Sequence, residues 1–463
     1  MLAVAVVWLA GGTARAADEP CPPLPADELG GESASSRVCS GVTPAEGEHP
    51  SGDTTRGRIV DLPAGGGVRR VDAMPGEALL VLPKGPDGRV DTDFVLAPGA
   101  RILGSYWSPV LCATVVRIVG PAGAAPGDLV VKRPKGSRLS PNKRYVTSTT
   151  TLRPLVVADA QGAPSPAAAP TPHGVDPYLR FQYGLHRTGV LEGRPAFDGA
   201  GVRVAVLDST PEVAHRELER VRIVPLAGEE KGPAALHGTL VTGVIAATEN
   251  NGFGIAGVAS GAEIVAIPVC APAGDGAGDE CRLDALLQGL DVAWKEDARV
   301  ANLSLVGPPD ALLERAVARM HELGILLVAA AGNEGSTDPR YPAAYPTVLG
   351  VGALDASDRP WPRSNHGRWV RLLAPGVEVL STAPGDAFAF GDGTSLAAAH
   401  VSGMLAIALM ATDRPDDAER ALLAAARSSD PATASSKAQP PSAPIPRLCD
   451  VMPLLGQHCG ARP

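Results

Sequence analysis

The stretch from residue 299 to 333 reads RVANLSLVGPPDALLERAVARMHELGILLVAAAGN, and its pattern decides the fold. An apolar run at 299–306 is followed by a helical pattern at 310–324 and a second apolar run at 325–332. Similar continuous runs are VRVAVL (202–207), EIVAIPVC (263–270) and TVLGVGAL (347–354), and further helical patterns lie at 237–248 and 282–297. Strands that are apolar along their whole length are typical of parallel sheets covered by helices on both faces. The sequence therefore predicts a doubly wound α/β fold with a mostly parallel sheet.

The bulk composition excludes one class of partner. The chain has 463 residues, 45% of them hydrophobic, which is long enough for two or three domains with a sizeable core. Its formal net charge is -9 and its pI is near 5.5, whereas a nucleic-acid partner usually needs a clustered basic face. We expect no nucleic-acid partner.

The first residues, MLAVAVVWLAGGTARA (1–16), have the pattern of a secretory signal peptide. The apolar run is too short to span a bilayer, and Ala14-Arg15-Ala16 fits a small-x-small cleavage site. An N-terminal anchor is the alternative. Since no other apolar run is long enough to span a membrane, we expect a secreted or periplasmic protein without stable membrane insertion after signal cleavage.

Composition divides the rest of the chain into five segments. Residues 17–76 are Pro/Gly-rich and of low expected order, and short apolar runs at 77–146 predict a small α+β domain. Residues 147–176 form a Pro/Ala linker, and residues 177–428 carry the α/β pattern. Residues 429–463 are an Ala/Ser/Pro-rich tail with an expected disulfide.

Seven cysteines and the absence of a CxxC motif favour disulfides over a zinc site. Three cysteines lie in the N-terminal region, and four lie at or beyond the α/β segment. We expect bridges Cys270–Cys281 and Cys449–Cys459, although four cysteines allow three pairings.

Four polar residues lie where an open parallel sheet forms its sites. Asp208 and Asn333 directly follow apolar runs, so they lie at the carboxyl ends of predicted strands. His237 opens one helical pattern, and Ser395 opens another in GDGTSLAAAHVSG (391–403). Taken singly, each has an ordinary explanation as a cap or turn residue. Together they supply nucleophilic acyl transfer: Ser395 as nucleophile, His237 as base, Asp208 as its orienting carboxylate, and Asn333 with the Ser395 N–H as oxyanion donors.

Six segments resemble, in one order, the signatures of subtilisin-like serine proteases (subtilases): VRVAVLDST, HGTLVTGVIAATENNGFGIAGVA, NLSLVGP, AAAGNEG, LLAPGVEVLST and DGTSLAAAHVSG. The resemblance covers roughly residues 177–428 and implies an endopeptidase acting on protein or peptide substrates. It implies that an extended substrate pairs with the strand at Ser304 and Leu305. It also implies that Ala331 and Gly332 line the primary specificity pocket.

The chain departs from the family pattern at several places. Thr210 stands where Gly is usual, Leu240 where a second His is usual, and Val306 where Gly commonly borders the cleft. None of these changes removes a catalytic atom, but Val306 is expected to narrow the cleft. Two rival functions follow: a catalytically silent binding module, and a dedicated processing protease that cuts one partner protein.

The segment TENNGFGIAG (248–257) resembles the calcium-binding loop of the family. The resemblance implies a structural calcium ion held by oxygens of four residues: Asn251, Phe253, Ile255 and Glu217. An ordinary Asn-Gly turn is the alternative.

The strands expected at 77–145 faintly resemble a subtilase propeptide. This implies a segment that acts as an intramolecular inhibitor and is removed by autocatalytic cleavage between about Thr147 and Asp176. A generic export or recognition domain is the alternative.

Overall fold

The computed structural model describes residues 73–85, 89–147, 151–155, 157–158, 164–165, 174–194, 196–227, 232–273, 278–428 and 445–459. The signal peptide expected at 1–16 lies outside these residues, and so does the low-order segment expected at 17–76 apart from its last residues, 73–76. Before residue 150 the elements are six strands: β1 (Ala73–Pro83), β2 (Val95–Leu96), β3 (Arg101–Ser108), β4 (Ala113–Val119), β5 (Val130–Lys132) and β6 (Arg138–Thr147). Then follow β7 (Thr151–Pro154), β8 (Val157–Ala158), β9 (Pro164–Ser165), α1 (Tyr183–Arg187) and α2 (Val190–Gly193).

The remaining elements build the α/β part of the chain. In order they are β10 (Arg203–Asp208), β11 (Val221–Ile223), α3 (Leu236–Ala246), β12 (Glu263–Pro268), β13 (Cys270–Pro272), β14 (Asp279–Arg282), α4 (Leu283–Lys295), β15 (Val300–Leu303), β16 (Leu305–Val306), α5 (Ala311–Glu322), β17 (Leu326–Ala330), β18 (Val348–Leu354), β19 (Val370–Pro375), β20 (Val379–Ala383), β21 (Ala387–Asp392), α6 (Thr394–Ala408), α7 (Pro415–Ser428) and α8 (Leu448–Leu454).

The central sheet has the strand order β11-β12-β10-β15-β17-β18-β19, and every pair in it is parallel. Successive residues of β10 face opposite cores. Val204 and Val206 belong to the cluster that contains residues of α3 and α6, while Ala205 and Leu207 belong to the cluster that contains residues of α4 and α5. Both faces are covered, which explains the continuous apolar runs. The predicted doubly wound fold is confirmed.

The N-terminal strands join an antiparallel sheet of order β13-β14-β6-β1-β4-β3, with β16 also paired to β6. Leu79 and Val81 of β1 pack in the same cluster as residues of α4 and α5, and the alternate residues Leu80 and Leu82 pack in a small core with Leu129. The only helix described between residues 73 and 147 is a single 3-10 turn, Pro126–Asp128. The expected helical content of this region was therefore wrong, because α4 and α5 supply the cover that helices of its own would have provided.

Aspartates of the α/β part hold this N-terminal sheet. Asp310 caps α5 by accepting from the backbone of Leu312 and Leu313, and its other oxygen accepts from Ser140 of β6 at 2.9 Å. Asp284, in the first turn of α4, accepts from Asn142 of β6 at 2.9 Å. The sheet is thus docked through polar contacts at helix starts, where the helix dipole favours carboxylates.

Both flanks contain regular secondary structure. The Pro/Ala linker expected at 147–176 contains β7, which pairs antiparallel with β21. The Ala/Ser/Pro-rich tail expected at 429–463 contains α8, whose Leu448, Val451 and Met452 are buried in the core with α3 and α6. The bridges Cys270–Cys281 and Cys449–Cys459 are both present, as predicted, and Cys112 is disulfide-bonded as well.

Candidate active site

Asp208 and His237 form a buried pair at the carboxyl edge of the central sheet. Asp208 is the last residue of β10, between β12 and β15, and His237 is the second residue of α3. Oδ1 of Asp208 lies 2.7 Å from Nδ1 of His237 and also accepts from the backbone N–H of Ser209 at 2.7 Å. Nε2 of His237 is buried without a hydrogen-bond partner among the described residues. The carboxylate therefore fixes one side of the ring and leaves the other nitrogen for a reacting group.

Two opposing effects set the protonation of His237. Burial lowers the pKa of the imidazole, but the charge and hydrogen bond of Asp208, together with the charge of Asp279, outweigh it. The net result is a pKa of His237 above its usual value of 6.5. The ring is thus a stronger base than a free imidazole.

Ser395 does not cap its helix. α6 begins at Thr394 with Gly393 as the N-cap residue, so Ser395 lies inside the first turn. Its side chain is fully buried; Oγ donates to the carbonyl of Ser304 at 3.2 Å, and Oγ of Ser304 donates back to the carbonyl of Ser395 at 3.1 Å. Ser395 is therefore not the N-cap residue, and Gly393 at that position makes no side-chain capping hydrogen bond.

Within the described part of the chain, the side-chain amide of Asn333 uses its oxygen in hydrogen bonds but not its nitrogen. Its Oδ1 accepts from the backbone N–H of Thr394 at 3.0 Å and from the Thr394 hydroxyl at 2.9 Å. Its Nδ2 is buried without a partner among the described residues. Leaving a buried donor unpaired costs about 1–3 kcal/mol, and such groups cluster at functional sites. Thr394 thus turns the amide so that its N–H groups are available.

Thr394 was missed at the sequence level. Its hydroxyl also accepts from the backbone N–H of Gly332 at 2.9 Å, which ties the end of β17 to the start of α6. The signal was its position directly before the proposed nucleophile, but the direction of its side chain cannot be read from sequence.

The residues expected to line the specificity pocket follow β17. The backbone N–H of Ala331 donates to Val351, and its carbonyl accepts from Nδ2 of Asn365 at 3.1 Å. Gly332 has φ of +105°, and a Cβ there would overlap Nδ2 of Asn365. The same Nδ2 donates to Glu334 at 2.7 Å. Asn365 therefore holds this turn in one conformation.

The strand expected to bind substrate is already paired. Leu305 and Val306 of β16 lie opposite Thr147 and Val146 of β6 in antiparallel register. On its other edge β6 pairs with β14, where Glu280 lies opposite Val146. β6 thus fills a slot between two strands of the α/β part. Ser304, which precedes β16, contacts Ser395 and so connects this slot to the proposed nucleophile.

The chain re-enters the described region on the other side of the same site. Thr151 of β7 lies opposite Asp392 of β21, and β21 ends two residues before α6 begins. Arg153 forms an ion pair with Glu378 at 2.6 Å, and the backbone N–H of Leu155 donates to Phe388 at 2.9 Å. One polypeptide therefore flanks the Ser395 turn on both sides.

Glu217 contacts the loop that contains the other three residues expected to hold calcium, Asn251, Phe253 and Ile255. Glu217 is fully buried, and its two oxygens accept from the Asn251 side chain at 3.0 Å and from the Ile255 backbone at 2.8 Å. Oδ1 of Asn251 accepts from the backbone N–H of Phe253 at 2.8 Å. Asp176, which sequence reasoning missed, accepts from the backbone of Asn251 at 3.1 Å.

Burial raises the pKa of Glu217 to about 8 and that of Asp176 to about 6, and the two charges repel each other. Two buried carboxylates with an amide oxygen nearby fit a hard cation such as calcium. Among the described residues, however, no group of three or more His, Cys, Asp or Glu side chains could hold a metal ion, so the remaining ligands would be backbone carbonyls and water.

Two further histidines have structural contacts. His400 is buried in α6, Nδ1 contacts the carbonyl of Leu396 at 2.8 Å, and burial lowers its pKa to about 4. Nε2 of His215 contacts the carbonyl of Ala387 at 3.0 Å, and its Nδ1 accepts from the backbone of Glu217. Both rings are held by the backbone, as a structural role requires.

Comparisons with known proteins show the family of the chain. Residues 199–439 match the family model described as the subtilase family. Subtilisin BL of Lederbergia lenta is 42% identical over 214 residues, which are 45% of this chain and 76% of that protein. Subtilisin E of Bacillus subtilis (strain 168) is 32% identical over 287 residues, 59% of this chain and 74% of that protein.

A solved structure shows the same fold. Fervidolysin from Fervidobacterium pennivorans, described as a keratinolytic enzyme related to subtilisin, aligns with a TM-score of 0.64 at 24% identity. The alignment covers 83% of this chain and 62% of fervidolysin. Among the residues that the structure describes, no helix is long and apolar enough to cross a membrane.

Proposed function

Because the chain belongs to the subtilase family of serine endopeptidases, we propose that it hydrolyses peptide bonds through an acyl-enzyme on Ser395. The observation that carries this proposal is a pair of buried nitrogens without a hydrogen-bond partner among the residues that the structure describes: Nε2 of His237 and Nδ2 of Asn333. One is the base expected beside a serine nucleophile, and the other is the donor expected beside an oxyanion.

The chemistry follows from these positions. Ser395 Oγ attacks the substrate carbonyl while Nε2 of His237 takes its proton, and Asp208 stabilises the imidazolium. The oxyanion accepts hydrogen bonds from Nδ2 of Asn333 and the N–H of Ser395. The C–N bond then breaks, His237 protonates the leaving amine, and water hydrolyses the acyl-enzyme by the same steps.

The protonation of His237 predicts the pH dependence. Activity requires the neutral ring, so kcat/KM should rise through an apparent pKa above 6.5 and fall away below it. Asp208→Asn should lower this apparent pKa as well as the rate, because the carboxylate is what raises it. The measurement is a pH–rate profile on a peptide substrate between about pH 5 and 9. A flat profile would contradict a histidine base.

We further propose that residues 73–147 are a propeptide that blocks the active site. Support comes from β6, which lies between β14 and β16 as an extended substrate strand would, and from β7 on β21 beyond the Ser395 turn. β6 and β7 thus pair with strands on either side of the turn that carries Ser395, as expected of a segment that occupies the substrate cleft. The segment would leave after a cut between β6 and β7, within the range 147–176 expected from sequence.

Secretion through the signal at 1–16 is proposed on the same basis. Two bridges close short loops in the α/β part and its tail, Cys270–Cys281 and Cys449–Cys459. Such bridges persist in oxidising compartments, which is consistent with export.

A structural calcium ion is proposed for the loop of Asn251, Phe253, Ile255 and Glu217, with Asp176 as a further ligand. When bound, the ion would neutralise two buried carboxylates and hold the loop that follows α3. Because folding raises both pKa values, the metal-free protein loses stability as pH rises through about 6 and 8. Calcium replaces the protons, so its stabilising effect should grow over the same range.

We therefore expect added calcium to raise the melting temperature, and chelator to lower it, more strongly at about pH 8.5 than at about pH 5. Glu217→Gln should abolish this response, while Glu219→Gln, at an exposed carboxylate two residues away, should preserve it. Elemental analysis gives an independent readout. If calcium changes the melting temperature at neither pH and elemental analysis finds no bound metal, the loop is an ordinary Asn-Gly turn.

A further inference from the structure

An ion pair lies beside the slot that β6 fills. Nε of Arg144 on β6 is 3.0 Å from Oε2 of Glu280 on β14, and the two side chains are only 17% and 18% exposed. The backbone of Glu280 lies opposite Val146, so its side chain reaches along the same face of the sheet to Arg144. The pair is therefore built into the ladder and shielded from solvent on most sides.

The next residue of β6 is held by its aromatic ring. Tyr145 is fully buried opposite Cys281, and its hydroxyl donates to the carbonyl of Pro308 at 3.2 Å. A Cβ at Gly307 would overlap the Tyr145 ring, so the space exists only because residue 307 is glycine. The Cys270–Cys281 bridge links β13 to β14, and this hairpin forms the side of the slot opposite β16.

We propose that the slot, once β6 has left, selects peptide substrates that carry a basic residue at the position that Arg144 occupies in β6. Glu280 would recognise that basic side chain. This inference rests on the proposed function, because it reads β6 as a substrate-like strand. It names Glu280 as a specificity-determining residue that sequence reasoning did not single out.

The charge balance explains why Glu280 should discriminate. Without β6 its carboxylate faces the open slot, and an incoming neutral or acidic side chain would bury it unpaired. A basic side chain would restore the ion pair in a partly desolvated setting, where such pairs are worth more than on an open surface. Replacing the base by an acid places two like charges together, which adds repulsion to the lost attraction.

The test uses the processed, secreted enzyme and quenched fluorescent peptides based on residues 143–152, KRYVTSTTTL. In the substrate series the residue equivalent to Arg144 is Arg, Gln or Glu. We expect kcat/KM for the Arg peptide to exceed that for the Gln peptide by about fivefold, and kcat/KM for the Glu peptide to be the lowest. Added salt should reduce the differences in kcat/KM among the three peptides.

Three enzyme variants separate recognition from damage to the fold. Glu280→Gln should cleave the Arg and Gln peptides alike, and Glu280→Lys should prefer the Glu peptide. Glu263→Gln, at a carboxylate paired with Arg203 at the opposite end of the sheet, should keep the wild-type order. The reversed preference of Glu280→Lys cannot arise from misfolding, since it requires an active enzyme.

The outcomes distinguish failure of the inference about Glu280 from failure of the proposed endopeptidase function. Equal cleavage of all three peptides by an enzyme that still needs Ser395 would overturn the inference and leave the proposed function standing. Failure to cleave any peptide or any unfolded protein would remove both. If Glu280→Lys still cleaves the Arg peptide best and the Glu peptide worst, another residue sets the preference and the proposed role of Glu280 is wrong.

Discussion

Replacing Ser395 by alanine should leave the chain as one uncut polypeptide without activity. If the serine is the nucleophile, kcat should fall by roughly 10⁶, the scale found when the serine of a subtilisin triad is removed. The precursor should accumulate with β6 still paired to β14 and β16, because no cut separates it from the rest of the chain. A fluorophosphonate probe should label the wild type and not the variant.

The two strand ladders bracket the expected cut. β6 ends at Thr147, which pairs with β16, and β7 begins at Thr151, which pairs with β21. We therefore expect the wild-type enzyme to be cut between Thr147 and Thr151. N-terminal sequencing of the secreted protein measures this. A start near residue 17 in active enzyme would mean that the N-terminal sheet is not a removable propeptide.

The fold should survive the Ser395 substitution. Gly393, not Ser395, is the N-cap residue of α6, and the lost hydroxyl donates to the carbonyl of Ser304. The expected cost is about 1 kcal/mol, which leaves the protein folded. Ser260→Ala is the matched control, because it removes another buried hydroxyl, bonded to Glu249 away from the site. It should be cut and labelled like the wild type.

The central sheet could be predicted because its strands are buried on both faces. Continuous runs such as residues 202–207 allow few alternatives, and the polar residues directly after them, Asp208 and Asn333, must lie at one edge of the sheet. These residues are brought to the site by secondary structure alone. Chain order and strand position were therefore sufficient for them.

The N-terminal region was harder to predict because its partners are distant in sequence. β6 pairs with β14 and β16, more than 130 residues further along the chain. Its strands are covered by α4 and α5, so the expectation of helices within the region failed. Pairing of this kind depends on register, which a local pattern does not contain.

Contacts set by side-chain direction were also beyond the sequence. The roles proposed for Thr394, Asp176 and Glu280 rest on contacts of a hydroxyl, a carboxylate and an ion pair with particular atoms. Each stands in an unremarkable local context. Only the folded arrangement shows what each side chain touches.

Asn333→Ala should lower kcat by about 10²–10³ and change KM little, as found for the equivalent donor of a subtilisin. The unpartnered Nδ2 of Asn333 has no role in the described ground state that alanine would remove, whereas an oxyanion would accept from it. Steady-state kinetics on one peptide separates the two constants. An increase confined to KM would instead place Asn333 in substrate binding.

Substitutions at Thr394 provide a second test of the role of Asn333. Its N–H and hydroxyl hold Oδ1 of Asn333, so Thr394→Ser should keep the amide in place and retain most activity. Thr394→Val removes the hydroxyl and should lower kcat in the same direction as Asn333→Ala. If the two residues act through one hydrogen bond to the oxyanion, the double variant should be little worse than Asn333→Ala alone. Additive losses would mean that Thr394 acts by another route, such as its bond to Gly332, and the oxyanion role would then rest on Asn333 without its support.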